Sequence, residues 1–485
     1  MTWSERWRRP GGGKELLALA IPFILSNSFW TLQITIDRVF LGWWSSDAVG
    51  AATAAVMVFW TLITLFQNTA AYATTFVAQY VGAGRPERVA APVWQSLYFS
   101  FVAGNLCLLI VPMAGMLMSF GDHTPEMQRL EVIYLQCMAF SAAPTLIVAS
   151  VGSFFSGKGD SWTVLLINAV GLVVNAGLDY LWIFGHLGFP EMGIAGAGWA
   201  TVVGTWASAL VGLGLMFRRK YRIEYGTLRN WKFDAALLLR LLRFGLPSGF
   251  QWFLDGIAFT VFLVLIGRIG NAELTASSVA FTLNMIAFLP SLGIGQAVTV
   301  LVGQRLGENR PELAERSTWT GFYLVWLYMA GVAVLYLAVP GVFLSIFVSS
   351  DTRAEDWLLV AQLIPPLLRF VAIYSLFDSA NLVFSFALKG AGDTRFVMLA
   401  ALSLSWSLMV LPTIGVRAAG GGIYWAWTCV SAYVIVLAFV LLWRFRQGKW
   451  KSMRVVEIPV VDDTIAGDAA TEVAAVEPLP AKVPS

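Results

Sequence analysis

Two ten-residue stretches decide how this chain is organised, QYVGAGRPER at residues 79–88 and QRLGENRPEL at residues 304–313. They share a glutamine, a glycine and an Arg-Pro-Glu triplet in the same register, 225 residues apart. The register extends upstream, because Pro22 pairs with Pro247 at the same offset. Self-similarity held over this distance indicates an internal repeat. The sequence therefore predicts two halves of similar structure.

Apolar runs long enough to span a bilayer surround these stretches, six in each half. The composition agrees, since 58% of the 485 residues are hydrophobic and only 13% are charged, which is typical of membrane proteins. The runs lie at roughly residues 15–42, 48–80, 91–119, 130–154, 162–187, 193–216, 240–267, 274–303, 317–348, 357–388, 396–416 and 421–445. Continuous runs of this kind predict helices, because strands of a membrane β-barrel show an alternating pattern instead. We therefore predict an all-α membrane protein of twelve transmembrane helices in two pseudo-symmetric six-helix bundles.

Lysine and arginine are distributed unevenly between the two sets of loops. With the N-terminus in the cytoplasm, only four of them lie near the outer face, namely Arg129, Arg268, Arg353 and Arg417. Because cytoplasmic loops are enriched in basic residues, this distribution predicts that both termini are cytoplasmic. Each half has an even number of helices, so both halves enter the membrane in the same orientation. Transporters with such parallel repeats bind their substrates between the halves.

The loop between the sixth and seventh runs divides the chain into two lobes. It holds eight basic residues between Arg218 and Arg243. Residues 455–485 are rich in Asp, Glu, Ala and Pro and contain no aromatic residue, which predicts disorder. We accordingly predict a cytoplasmic N-terminal segment at 1–14, an N-lobe at 15–217, a cytoplasmic linker at 218–239, a C-lobe at 240–445 and a cytoplasmic, largely disordered tail at 446–485.

Cysteine and histidine are too sparse for the commonest catalytic and metal-binding sites. The three cysteines are widely spaced within apolar runs, and the two histidines fall in short polar connections. We therefore predict no enzyme activity and no cofactor. The expected partners are small organic substrates and the lipid bilayer, without nucleic acid. We expect a monomer in the cell (inner) membrane.

Four aspartates fall inside the predicted helices, at Asp37, Asp179, Asp255 and Asp378. An ionised carboxylate inside a bilayer costs at least about 2.5 to 3.5 kcal/mol, so each requires a partner, a water-filled cavity or a proton. Acidic residues at such positions are commonly functional. These four residues are therefore the leading candidates for ion or substrate binding.

Polar residues of the first half gather at one depth of the predicted membrane. Asp37 lies near the outer end of the first helix, with Gln33 one turn before it. Asn168, Asn175 and Asp179 have spacings of seven and four, which place them on one face of the fifth helix. That helix runs outward, so Asp179 is expected at a depth similar to that of Asp37.

Thr201, near the outer start of the sixth helix, adds a hydroxyl group at this depth. Two carboxylates, an amide and a hydroxyl group suit Na⁺, a hard ion that prefers oxygen ligands. The same set suits a proton, because burial in apolar surroundings favours the neutral form of a carboxyl group. The sequence leaves the choice between Na⁺ and H⁺ open. Gln33 and Asn168 are supporting candidates in either case.

The second half does not repeat this set of polar residues. The residue 225 positions after Asp37 is Phe262. The acids of this half are Asp255, with Gln251 one turn before it, and Asp378. Either acid is suited to neutralise a cationic substrate or to bind a second ion, and each is equally suited to a polar packing contact.

Several motifs of this chain resemble those of the multidrug and toxic compound extrusion family, a branch of secondary transporters. The similarity covers about residues 15–445. The motifs are Asp37 to Gly42, Gln79 to Arg85, Gly157 to Asp160, Asn175 to Asp179 and Gly193 to Thr201. The resemblance implies a V-shaped fold of two six-helix bundles and alternating access. It also implies export of cationic or amphipathic organic compounds and drugs, coupled to the entry of H⁺ or Na⁺.

The resemblance further implies which residues bind the coupling ion. In this family an aspartate of the first helix, an asparagine and an acid four residues later on the fifth, and a threonine of the sixth form the cation site of the first lobe. The matching residues are Asp37, Asn175, Asp179 and Thr201. Some members also use acids of the seventh and tenth helices, which correspond to Asp255 and Asp378. The first of these is often glutamate in the family, so the aspartate here has a shorter reach.

Two other functions are compatible with such a chain. Flippases for lipid-linked precursors have a related architecture, but we expect them to carry more cationic residues in the central cavity. A membrane-embedded transferase acting on lipids would need a metal-binding or acid-rich loop at the membrane edge, whereas the outer loops here are short. The sequence therefore favours export by ion exchange.

Overall fold

The computed structural model describes residues 7, 9–119, 121, 123–345 and 354–457. Within these residues it contains helices and connecting turns and no β-strand. Twelve of the described helices are long and apolar enough to cross a membrane. This confirms the predicted class, an all-α membrane protein with twelve membrane-spanning helices. Arg353, residues 1–6 and 8 of the N-terminal segment and residues 458–485 of the predicted tail lie outside the described residues.

Six membrane-spanning helices form each half of the described chain. Those of the first half are α1 Gly13–Trp44, α2 Ser46–Gly82, α3 Pro86–Met118, α4 Pro125–Gly157, α5 Ser161–Phe184 and α6 Gly193–Met216. Those of the second half are α7 Ala235–Gly267, α8 Asn271–Gly307, α9 Pro311–Ala338, α10 Ala354–Ala391, α11 Thr394–Ala418 and α12 Ile423–Arg446. A short linker helix, Arg219–Glu224, lies between α6 and α7. The run predicted at 317–348 is interrupted at Pro340, which has no backbone N–H and begins a separate short helix.

The helices begin and end at residues whose chemistry favours those positions. Prolines start α3, α4 and α9, where the missing N–H costs no helical hydrogen bond. The carboxylates of Asp160 and Asp234 accept hydrogen bonds from the backbone N–H groups of Thr163 and Leu237, and so cap α5 and α7. The helix α5 ends at Phe184, and the next residue, Gly185, has a left-handed φ of 71°.

The two repeated stretches adopt the same backbone conformation. Gly84 and Asn309, which are 225 residues apart, have φ angles of 64° and 60°. Arg85 and Arg310 follow, with φ and ψ of −114° and 65° and of −120° and 65°. The helices α3 and α9 begin at the next residue. The turn needs a residue that tolerates the left-handed region, as glycine and asparagine do. The repeat in the sequence is therefore a repeat in the structure.

The two lobes pack against each other at one face of the molecule, which we call the terminal face because α1 begins and α12 ends there. The ends of α2 and α8 cross at this face. A Cβ atom built on Gly82 would lie 1.9 Å from the carbonyl oxygen of Gln304, and one built on Gly307 would lie 2.3 Å from that of Gln79. Only glycine allows such an approach. The glycine shared by the repeated stretches therefore sets how closely the lobes pack.

Each lobe has its own apolar core, and α1 contributes to both. Phe59 and Leu146 are fully buried in the N-lobe core, and Phe384 is fully buried in the C-lobe core. Leu16, at the beginning of α1, packs into the C-lobe core, whereas Leu41, near its end, packs into the N-lobe core. A movement of α1 therefore affects the packing of both lobes.

The chain continues past α12 as a segment that packs on the terminal face. Residues 446–455 belong to the region assigned above to the tail, and the structure shows them folded against the helices. Trp450 is 1% exposed and stacks on Phe445, with ring centroids 4.7 Å apart. The backbone N–H of Val455 donates a hydrogen bond of 2.8 Å to the side-chain oxygen of Gln79. This segment therefore joins the end of the C-lobe to the N-lobe.

Candidate cation site

Asp37 and Asp179 come together inside the N-lobe. Asp37 is 7% exposed and Asp179 is fully buried. Their carboxyl groups lie within hydrogen-bonding range of each other, and the side chain of Asn175 lies beside both. The amide nitrogen of Asn175 donates a hydrogen bond of 3.3 Å to the hydroxyl oxygen of Thr201. The structure thus brings together the four residues expected to form the cation site.

Glycines on α5 and α6 allow these side chains to meet. Gly204 lies one turn after Thr201, and a Cβ atom there would lie 2.9 Å from the Cβ atom of Asn175. A Cβ atom on Gly171, one turn before Asn175, would lie 2.3 Å from the hydroxyl oxygen of Ser208. Larger residues at either glycine would separate the helices. The glycine-rich sequence of α6 therefore positions Thr201 against α5.

Tyr134 of α4 is a further member of this cluster that the sequence analysis missed. It is 2% exposed, its hydroxyl group interacts with Thr201, and it interacts electrostatically with the carboxyl groups of Asp37 and Asp179. The interaction depends on how α4 packs against α6. The residues next to Tyr134 in the sequence, Ile133 and Leu135, are apolar and do not distinguish it from the other tyrosines.

Several oxygen atoms of the cluster have no hydrogen-bond donor among the described residues. These are Oδ1 of Asp37, both carboxylate oxygens of Asp179 and Oδ1 of Asn175. A buried oxygen without a donor is costly unless a proton or a cation accompanies it. The described residues contain no group of three or more His, Cys, Asp or Glu side chains that suits a transition metal. The oxygen-only cluster therefore suits a hard monovalent cation or a proton.

The two supporting candidates of this lobe occupy different positions. Gln33 is partly exposed and lies one turn before Asp37 on α1. The amide of Asn168 donates a hydrogen bond to the hydroxyl oxygen of Ser26, which is also on α1. Ser26 lies about three turns before Asp37, or roughly 16 Å along the helix. Asn168 therefore holds α5 against α1 below the cluster and does not join it.

The acids of the C-lobe are not paired with each other as those of the N-lobe are. Asp255 accepts a hydrogen bond of 3.3 Å from the amide of Gln251, which lies one turn before it. Asp378 accepts one of 3.5 Å from the amide of Asn381 on the same helix. Tyr433 of α12 interacts electrostatically with both acids. The C-lobe therefore holds two separate polar positions.

Lys389 of α10 is a second residue that the sequence analysis missed. It is 5% exposed and interacts electrostatically with Asp255. The apolar run predicted for the tenth helix ends at residue 388, which would place this lysine at the membrane surface. In the structure α10 continues to Ala391 and Lys389 is buried. The apolar pattern did not locate the end of α10, so it did not predict that Lys389 is buried.

A protein-family model described as MatE matches residues 22–181 and 247–413, one match in each half of the chain. The chain is 27% identical over 454 residues to a probable multidrug resistance protein NorM of Brucella suis biovar 1, covering 91% of this chain and 94% of the relative. It is 25% identical over 446 residues to a probable NorM of Thermotoga maritima, with the same coverage.

Solved structures share the fold at lower identity. One is described as the outward-facing conformation of a multidrug resistance MATE family transporter, with a TM-score of 0.82 at 20% identity, covering 93% of this chain and 99% of that one. Another is described as MATE in the bent conformation, with a TM-score of 0.81 at 20% identity, covering 92% and 98%. The family model spans most of both lobes, and the resemblance seen in the sequence is confirmed: the chain belongs to the multidrug and toxic compound extrusion (MATE) family of membrane transporters.

Proposed function

We propose that this transporter is an antiporter that exports cationic or amphipathic organic compounds in exchange for H⁺ or Na⁺. The observation that carries the proposal is the buried contact between the carboxyl groups of Asp37 and Asp179. Two carboxylates in contact cannot both stay charged away from water, so a proton or a cation accompanies them. The NorM relatives are described as multidrug resistance proteins, which supports organic compounds as the cargo.

Exchange follows if the ion and the organic compound stabilise different arrangements of the N-lobe. Binding of a cation at Asp37 and Asp179 repacks this lobe and displaces the bound compound to the outside. The helix α1 carries Asp37 and packs into both cores, so it is suited to transmit the change. One charge moving inward through 100 mV contributes about 2.3 kcal/mol, which sustains roughly fifty-fold accumulation at full coupling.

The proposal includes a location and an assembly state. The protein acts as a monomer in the cell (inner) membrane, with the terminal face and both termini in the cytoplasm. The small number of basic residues near the opposite face, Arg129, Arg268 and Arg417 within the described residues, supports this orientation. Exchange requires no catalytic group and no cofactor besides the coupling ion.

Efflux of a fluorescent organic cation from proteoliposomes, under separately imposed pH and Na⁺ gradients, tests the proposal. We expect one of the gradients to drive efflux, and Asp179→Asn to abolish this efflux while leaving membrane insertion intact. Asp47→Asn is the matched control, because Asp47 is an exposed aspartate in the first turn of α2. Efflux at the unmodified rate by Asp179→Asn would remove this residue from the mechanism. Efflux that responds to neither gradient would overturn ion exchange.

A further inference from the structure

Lys389 is a buried lysine in the last turn of α10 that the proposed exchange does not use. Its ammonium nitrogen lies 5.4 Å from the ring centroid of Trp252 and 5.7 Å from that of Phe386. Its backbone carbonyl oxygen accepts a hydrogen bond of 2.8 Å from the hydroxyl group of Tyr72. Tyr72 belongs to the N-lobe, so Lys389 lies where the two lobes meet.

Asp255 lies three residues after Trp252, on the same side of α7. One of its carboxylate oxygens accepts the hydrogen bond from Gln251, and the other is buried without a donor among the described residues. The carboxylate and the ammonium group of Lys389 interact electrostatically. Among the described residues, the carboxylate of Asp255 and the ammonium group of Lys389 do not form a direct ion pair. A positive and a negative group therefore share one region, and one carboxylate oxygen of Asp255 has no donor there among the described residues.

The glycines of α7 show where this helix lies close against the N-lobe. Gly245, Gly249 and Gly256 follow one face of α7, with spacings of four and seven. A Cβ atom on Gly245 would lie 2.9 Å from the carbonyl oxygen of Thr69, and one on Gly249 would lie 2.2 Å from that of Leu65. A Cβ atom on Gly256 would meet no atom within 4 Å. The close contact of α7 with the N-lobe at Gly245 and Gly249 is therefore not repeated at Gly256, the residue that follows Asp255.

A buried charge is costly unless a group of opposite charge contacts it. The ammonium group of Lys389 contacts aromatic rings, which compensate a cation only in part. A bound compound with one positive and one negative group satisfies both Asp255 and Lys389. A compound with a positive group alone satisfies Asp255 and adds a second positive charge near Lys389.

We propose that Asp255 and Lys389 form a subsite between the lobes for zwitterionic aromatic compounds. The cationic group of the compound binds Asp255, its acidic group binds Lys389, and its ring packs against Trp252. This inference rests on the proposed function and specifies a class of substrate for it. Lys389 is then the residue that decides whether a compound with an acidic group is accepted.

Two dyes with the same ring system provide the test. Tetramethylrhodamine carries a carboxylate and is a zwitterion, whereas its methyl ester is a cation. Binding of both to the purified full-length protein is measured by fluorescence polarisation, and efflux of both is measured in proteoliposomes. In Lys389→Met we expect the affinity for tetramethylrhodamine to fall by about tenfold or more, because a charge-assisted hydrogen bond is lost. Affinity for the ester is expected to stay the same or to rise, because a nearby positive charge is removed.

Two further variants separate charge from folding. Lys389→Arg keeps the positive charge and is expected to retain binding of tetramethylrhodamine. Asp255→Asn removes the negative charge and is expected to weaken the binding of both dyes. Should Lys389→Met fail to fold, Lys389→Gln is used in its place, with the same expected result.

The outcomes distinguish this inference from the function on which it rests. If Lys389→Met changes the affinity for both dyes by the same factor, or for neither, the subsite is overturned while ion-driven export of the ester still supports the proposed function. The subsite is also overturned if unmodified protein exports the ester and does not bind tetramethylrhodamine. If unmodified protein exports neither dye under a pH or Na⁺ gradient, the proposed function and the subsite are both overturned.

Discussion

The side-chain amide of Gln304 donates a hydrogen bond of 2.9 Å to the backbone carbonyl oxygen of Gly157, across the interface between the lobes. The repeat partner of Gln304 makes the reciprocal contact, because the amide of Gln79 donates one of 3.2 Å to the carbonyl oxygen of Gly390. Both glycines lie near the end of a helix of the opposite lobe, α4 and α10. The glutamine that the two repeated stretches share therefore supplies two hydrogen bonds that hold the lobes together at the terminal face. Any opening of this face has to break both contacts.

Replacement of Gln79 is expected to weaken closure of the terminal face. Gln79→Leu leaves the buried carbonyl oxygen of Gly390 and the N–H group of Val455 without partners, at a cost of about 1–3 kcal/mol each. The open state should then be populated roughly tenfold more or higher. A cysteine introduced at Ser156, which is 8% exposed at the end of α4, reports the opening through its rate of labelling by a maleimide.

Gln95→Leu is the matched control for this measurement. Gln95 is also fully buried, donates to the carbonyl oxygen of Lys232 and accepts from the N–H group of Asp234. These contacts join α3 to the linker and do not cross between the lobes. Labelling that rises equally in both variants would show that the loss of any buried glutamine has this effect, and would contradict the closing role of Gln79.

The segment after α12 is expected to contribute to the same closure. Lys451 forms an ion pair of 2.5 Å with Glu315 of α9, and Val455 reaches Gln79 of the N-lobe. Truncation after residue 447 removes these contacts together with the buried ring of Trp450, and should raise both the labelling rate at position 156 and the sensitivity to heat. Truncation after residue 455 keeps all of them and is the control. Equal labelling of the two truncated proteins would show that residues 448–455 do not restrain the lobes.

The fold was predictable because its determinants are visible in the sequence itself, as a repeat and as apolar runs. The repeat at Gln79 and Gln304 predicts two equivalent halves, and uninterrupted apolar runs predict the helices. The break at Pro340 also has a local cause, although the apolar pattern alone passed over it. Glu and Asp near the helix starts, such as the cap at Asp160, likewise act on neighbouring backbone groups.

The site was predictable only where a polar residue is unusual for its position. Asp37 and Asp179 are acids in an apolar background, so they are visible without knowledge of the packing. Asn168 lies on the same face of α5 as Asp179, yet it contacts α1 at another depth. Residues on one face of a helix extend across the whole membrane, whereas a binding site occupies only one depth. Tyr134 and Lys389 depend on contacts between helices far apart in the sequence, which no spacing rule reveals.

Removal of the Tyr134 hydroxyl group is expected to weaken the binding of the coupling ion. The hydroxyl group interacts with Thr201 and, electrostatically, with both carboxyl groups, so Tyr134→Phe removes one polar neighbour of the proposed cation. A hydrogen bond is worth about 1 kcal/mol, so the ion concentration for half-maximal efflux should rise about fivefold. Tyr336→Phe is the control, because the hydroxyl group of this buried tyrosine donates to the carbonyl oxygen of Leu283 in the C-lobe. An unchanged half-maximal concentration in Tyr134→Phe would exclude the hydroxyl group from the site.

An increase in the distance between α5 and α6 is expected to weaken cation binding even though the polar groups of the site are unchanged. A methyl group added at Gly204 would lie 2.9 Å from the Cβ atom of Asn175, so Gly204→Ala forces the helices apart and weakens the hydrogen bond from Asn175 to Thr201. At Gly214 of the same helix a Cβ atom would meet no atom within 4 Å.

The two substitutions are therefore chemically identical and differ only in available space. Alanine favours a helix over glycine by up to about 1 kcal/mol, so Gly214→Ala should leave ion-driven efflux unchanged and raise the melting temperature slightly. Gly204→Ala should raise the half-maximal ion concentration severalfold, because the side-chain oxygen atoms of Asn175 and Thr201 are no longer held close together. Both quantities are measured on the same protein preparations, efflux in proteoliposomes and melting in detergent. If Gly204→Ala transports with the ion dependence of Gly214→Ala, close packing of α5 against α6 does not determine the geometry of the site.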